Sequence, residues 1–190
     1  MRVLIFFLIL SAAALNMYAQ TTPTLSETIA YIDKRVKETQ GHQVKWKSGK
    51  LDYLVEASFY SSSSLYKIGK YRYLYQSKDN NWGSHYFTFK PEHISSVTEG
   101  STNTTADSPV GFITINFANN LVKQDSRNWY HNGGIYSDEG SFINSYSTQG
   151  NVSHLFIPYL KQDATAFDRI SKAIMHLRKL SQKDDPFADF

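Results

Sequence analysis

The chain has 190 residues, with 20 Lys and Arg against 17 Asp and Glu and a formal net charge of +3 at neutral pH. The basic residues are spread along the chain, which gives no basic patch for nucleic acid. The absence of cysteine excludes a disulfide framework and a thiolate metal site, so stability has to come from burial.

Residues 1–19 have the layout of a secretory signal peptide. Arg2 precedes the apolar run VLIFFLIL, and small residues then lead to Ala19. The run is shorter than the roughly 20 apolar residues that a membrane-spanning helix needs. We expect cleavage after Ala19, with Ala13 or Ala14 as the alternative sites, and export of the mature chain to the periplasm or beyond.

Cleavage leaves residues 20–190, a length that suits one domain. Its first predicted helix begins with the capping box Thr24-Leu25-Ser26-Glu27 and has apolar residues at helical spacing, namely Leu25, Ile29, Ile32 and Val36. This stripe has about one residue per turn. It predicts a helix that lies outside the sheet or over one opening, not in the core.

From Gln43 to Leu160 the pattern changes to period two and predicts about seven short antiparallel strands. In the run from Leu51 to Tyr60, alternation predicts one buried face made by Leu51, Tyr53, Val55, Ala57 and Phe59. It places Asp52 and Glu56 on the solvated face, roughly 13 Å apart and too far for a catalytic pair. A polar loop is predicted at residues 100–109, and a hairpin or long polar loop at residues 135–150.

A second helix is predicted from Asp163 to Ser181, because its apolar residues follow helical spacing and Pro186 ends it. Its buried face is predicted to contain Phe167, Ile170, Ile174 and Leu177. Thr165 and Asp168, three residues apart, predict a capping-box-like start. The order of elements therefore predicts an α+β, mainly β chain in which this C-terminal helix closes a curved antiparallel sheet.

The same order of elements is that of a pleckstrin-homology-like (PH-like) barrel. The stretch Leu155-Phe156-Ile157-Pro158-Tyr159, with Arg169-Ile170 and His176-Leu177 in the last helix, resembles small exported proteins common in Bacteroidetes-type bacteria. Those proteins share the Ala-Gln end of the signal peptide and a TLSETIAYI-like first helix, but often carry Cys where Ser181 stands here. The resemblance implies a PH-like antiparallel barrel of about seven strands, closed by the C-terminal helix, with an extra N-terminal helix. It also implies an exported location, but it does not indicate an activity.

No spacing of residues in the sequence indicates a catalytic site or a metal site. His85 and His93 match no standard ligand spacing, and the H-E-x-x-H and G-x-S-x-G motifs are missing. His176 lies beside the apolar stripe of the last helix, where packing is the expected role. We therefore expect no catalytic residue, no metal ligand and no cofactor.

Aromatic residues close to predicted turns are the candidate binding residues: Trp82, Trp129 and Tyr130, with His131 beside them. Exposed aromatic rings stack on glycans or dock proteins, although packing inside the barrel is the alternative role. We expect a non-catalytic binding or interaction module of the bacterial envelope. Its partner would be an unknown protein or glycan and not nucleic acid, and the protein would be a monomer.

Two alternative functions require different structural features. A lipocalin-like small-molecule carrier requires a large internal pocket. A hydrolase requires a cleft in which two or more acidic and imidazole groups converge, drawn from His85, His93, His131, His154, Asp52 and Glu56.

Overall fold

A computed structural model describes residues 22–61, 69–77, 82–100, 104–130 and 144–182, with the backbone alone for 69–77, 82, 127–130 and 144–146. This part of the chain contains two helices, α1 (Leu25–Lys37) and α2 (Ala166–Gln182). It also contains nine strands: β1 (Gln43–Lys45), β2 (Leu51–Ser61), β3 (Gly69–Ser77), β4 (Trp82–Phe89), β5 (Ile94–Glu99), β6 (Val110–Phe117), β7 (Val122–Tyr130), β8 (Asn144–Val152) and β9 (His154–Leu160). Neither helix is long and apolar enough to cross a membrane.

The strands form two antiparallel sheets, one of six strands in the order β1-β2-β3-β4-β7-β8 and one of three in the order β5-β6-β9. Three connections pass from one sheet to the other: β4 to β5, β6 to β7, and β8 to β9. The order β4-β7-β8 in the larger sheet is repeated as β5-β6-β9 in the smaller one. The two sheets are therefore halves of one sharply bent structure whose strands share a corner.

Short turns make this corner. The 3-10 turn Pro91–His93 joins β4 to β5, and Asn119 takes a positive φ of 61° between β6 and β7. Asn tolerates this left-handed conformation better than most residues. Ser153 alone separates β8 from β9, and its carbonyl oxygen accepts the Phe117 N–H at 2.8 Å across the bend.

The mainly β composition, the antiparallel pairing and the C-terminal helix agree with the prediction, but the closed barrel does not. Among the described residues no ladder joins the two edges of either sheet, β1 to β8 or β5 to β9. The strands bend from one sheet into the other instead of pairing first with last. β8 begins at Asn144, inside the stretch predicted as a hairpin or long loop, and it pairs antiparallel with β7, as the strands of a hairpin do.

Both helices contribute to the main core. Ile32 and Val36 of α1 are fully buried, so the prediction that this helix lies outside the core is wrong. The narrow stripe is sufficient because α1 packs between β2 and α2. In α2 the predicted face is confirmed, with Ile170, Ile174 and Leu177 buried and Phe167 packed against the same cluster.

A β-bulge in β2 reverses the predicted faces of its first half. The register shifts between Leu54 and Glu56, so Leu54 is buried whereas Tyr53 and Val55 are exposed. After the bulge Ala57 and Phe59 face the core as predicted. A shift of one residue moves every side chain of a strand to the other face, and a bulge is the usual way to insert that residue.

The same shift buries Asp52, which the sequence placed in solvent. Its side chain is 8% exposed, and its Oδ2 accepts a hydrogen bond from Trp46 Nε1 at 2.7 Å and lies 3.7 Å from Lys50 Nζ. Trp46 stacks on Phe112 at a centroid distance of 5.4 Å. A second, smaller core thus forms beside the first; its fully buried members are Val44, Leu54, Val110 and Phe112.

Candidate functional site

The fold brings three of the four predicted binding residues to one end of neighbouring strands. Trp82 opens β4 and is the direct register partner of Trp129 on β7. Tyr130 is the last residue of β7 and lies opposite Asn144 of β8. His131 is outside the described residues. The backbones of two tryptophans that are distant in sequence are therefore adjacent at this end of the six-stranded sheet.

Four of the six acidic and imidazole groups considered for the hydrolase alternative each contact a different residue. His131 again lies outside the described residues. The contacts of four others are His93 Nε2 to Glu92 Oε1 at 3.6 Å, His154 Nδ1 to Ser153 Oγ at 3.4 Å, Asp52 to Trp46, and His85 to Ser126. Within the described residues no group of three His, Cys, Asp or Glu side chains could hold a metal ion.

A polar cluster on β4 and β7 was not visible in the sequence. His85 and Ser126 are register partners, and His85 Nδ1 lies 2.7 Å from Ser126 Oγ. Gln124 Nε2 donates to the same hydroxyl oxygen at 2.6 Å. No local sequence motif indicates such a cluster, because the cluster depends on the register of two strands that are remote in sequence.

Burial determines what this cluster can do chemically. Desolvation lowers the pKa of His85, so its neutral form is favoured and Nδ1 can accept the Ser126 proton. A serine paired with a neutral imidazole is the arrangement of an activated nucleophile. However, Ser126 is only 3% exposed, so in this conformation its hydroxyl is closed to a substrate. The contact between His85 and Ser126 instead links the side chains of β4 and β7.

A surface groove of about 470 Å³ separates the start of α1 from the middle of α2. Its walls are formed by Pro23, Glu27, Thr28, Tyr31, Lys172, Ala173 and His176. This volume is in the range of ligand sites, which have convergent polar groups on mainly apolar walls.

Two polar groups of the groove, His176 and Glu27, form hydrogen bonds that hold the start of α1 and join it to α2. His176 Nε2 donates to the Pro23 carbonyl oxygen at 2.8 Å, so the predicted packing role of this histidine includes a tie between the two helices. Glu27 Oε2 accepts from the Thr24 N–H at 2.8 Å and from its hydroxyl at 2.8 Å, which lowers the pKa of Glu27. The groove therefore offers mainly apolar surface, with Lys172 exposed at its rim.

No protein-family model, no curated protein and no solved structure matches the chain.

Proposed function

We propose that the protein is a non-catalytic binding or interaction module of the bacterial envelope, with a PH-like fold and a kinship to the small exported proteins it resembles. The observation that carries this proposal is the pairing of Trp82 with Trp129 in the register of β4 and β7. Tryptophan and tyrosine dominate binding surfaces because they combine a large apolar area with a polar group. Trp82, Trp129, Tyr130 and His131 are the proposed contact residues for a protein or glycan partner.

The packing of the bent sheet favours this function over the carrier. A lipocalin-like protein keeps its ligand inside the curved sheet, but here side chains of α1 and α2 pack against that face. Ile32, Val36, Ile170 and Ile174 belong to the same cluster as the inward residues of the strands. The separate contacts of His85, His93, His154 and Asp52 likewise favour a binding module over a hydrolase.

The PH-like assignment is supported by the order of the elements. The antiparallel strands form two sheets that meet at a corner, and α2 follows directly after the last strand. Such a scaffold presents strand ends and loops on a rigid frame, where binding residues are often found.

A co-sedimentation experiment tests the function. The purified mature protein is mixed with peptidoglycan sacculi or with outer-membrane vesicles from a Bacteroidetes-type bacterium, and the bound fraction is measured. We expect binding to one of these. Trp129→Ala should reduce it at least about tenfold, because the variant loses the large aromatic contact proposed with the partner. Thermal unfolding should remain cooperative. Undiminished binding by the variant, or binding to neither fraction, would contradict the proposal.

A further inference from the structure

The outer face of the three-stranded sheet carries an ordered array of uncharged polar side chains beside two aromatic rings. The register places these residues in two rows across the three strands, Ser96-Asn116-His154 and Thr98-Thr114-Phe156. Alternate residues of β6 and β9, such as Ile113 and Leu155, point into the core. We call these six residues the β5-β6-β9 outer face. They span about 10 Å across the strands and about 7 Å along them.

Hydrogen bonds within the array fix its polar groups. Asn116 Nδ2 donates to Ser96 Oγ at 3.1 Å and to Thr98 Oγ1 at 3.4 Å. Because each hydroxyl already accepts a bond from the amide, its own proton is left to donate to a ligand. Within the described residues the Asn116 side-chain oxygen accepts no side-chain hydrogen bond, so it adds an acceptor beside these donors.

An aromatic platform borders the array. Phe156 is 42% exposed, so much of its ring is accessible to a ligand. His154 packs against it with a centroid distance of 5.0 Å and an interplanar angle of 70°. This edge-to-face contact holds the phenyl ring in place while much of it remains open to solvent.

We propose that the β5-β6-β9 outer face binds a neutral glycan. Sugars present both apolar C–H faces, which stack on aromatic rings, and hydroxyls, which pair with side chains that donate and accept. The array contains no Asp, Glu, Lys or Arg, so it offers no counter-charge to an ionic partner. A polypeptide strand would add to a sheet edge through its backbone and would not lie across a polar face. The face shares no residue with the aromatic end at Trp82 and Trp129, so the two proposals can fail separately.

Affinity electrophoresis is the experiment. The protein is run in native gels that contain one polysaccharide each, namely starch, xylan, mixed-linkage β-glucan or mannan, with polygalacturonate as the charged comparison. We expect retardation by a neutral polysaccharide. Phe156→Ala should weaken it at least about tenfold, since this removes the phenyl ring that a bound sugar would cover. Tyr60→Ala is the matched control, because Tyr60 is an aromatic residue on β2 with the same exposure of 42%.

A second variant tests the same face in case Phe156→Ala fails to fold. Asn116→Ala removes the amide that orders the two hydroxyls, so retardation should weaken in this variant too. The proposal is overturned if no neutral polysaccharide retards the wild type, if only polygalacturonate does, or if Phe156→Ala and Tyr60→Ala behave alike. Loss of binding in Trp129→Ala with none in Phe156→Ala and Asn116→Ala would assign glycan binding to the other end. Sedimentation velocity tests whether a second copy of the chain binds here instead. If the wild type self-associates and Phe156→Ala does not, this face is a contact between two copies and the glycan proposal is wrong.

Discussion

Gly111 shows how one residue without a side chain fixes the packing of β6 against β9. It is the register partner of Tyr159, and a Cβ atom at this position would lie 2.6 Å from two ring carbons of that tyrosine. Tyr159 has little freedom to move, because it is 4% exposed and its hydroxyl donates to Glu99 at 2.8 Å. The glycine therefore makes room for a buried, hydrogen-bonded ring.

We expect Gly111→Ala to lower the free energy of unfolding by about 1–3 kcal/mol, since the added methyl group must displace Tyr159. Urea denaturation monitored by circular dichroism measures this change. Gly150→Ala on β8 is the control, because a Cβ atom there meets nothing within 4 Å. That variant should stay within about 0.5 kcal/mol of the wild type. A Gly111→Ala variant as stable as Gly150→Ala would show that the Tyr159 ring moves aside at no cost.

At the scale of elements, α2 offers the sharpest test of the core. Ile174 is fully buried at the centre of its inner face, whereas the next residue, Met175, is 36% exposed. Ile174→Asp would place an unpaired charge among apolar side chains and should abolish cooperative thermal unfolding. Met175→Asp is the matched control on the same turn and should unfold close to the wild-type temperature. A folded Ile174→Asp variant would mean that α2 does not pack as described.

Helices were predictable to the extent that their signals are local. The Thr24-Glu27 capping box is present with both of its hydrogen bonds, and α2 has the apolar face that its period predicts. The start of α2 differs in detail, since Asp163 Oδ1 accepts from the Thr165 N–H at 2.9 Å and from its hydroxyl at 2.6 Å. Asp163, two residues before Thr165, thus accepts the hydrogen bond that was predicted for Asp168.

Strands were less predictable, because their faces depend on partners. The bulge in β2 has no signal in the sequence, and it alone decides that Asp52 is buried and Tyr53 exposed. The corner between the sheets, the pairing of Trp82 with Trp129 and the cluster of His85 with Ser126 all follow from strand order. Strand order is set by long-range packing, which period and turn residues do not encode.

At the scale of the whole molecule, the part of the chain just after the predicted signal peptide is tied to its other end. The Pro23 carbonyl oxygen accepts the His176 N–H of α2 at 2.8 Å, and Thr24 caps α1. Both contacts lie beyond Ala19, so cleavage there would leave them intact. The mature chain is thus expected to keep every described contact that joins its first helix to its last.

We therefore expect the exported protein to begin at or near Gln20 and to be a monomer that folds independently of residues 1–19. Mass spectrometry of the periplasmic and secreted fractions identifies its first residue, and an intact Met1 in a membrane fraction would contradict the prediction. A recombinant chain starting at Gln20 is then compared with one starting at Leu25, which lacks both Pro23 and Thr24. The shorter chain should be less stable by about 1 kcal/mol or more, because it loses the N-cap as well as the His176 bond. Equal urea midpoints for the two chains would show that these contacts contribute nothing to the fold.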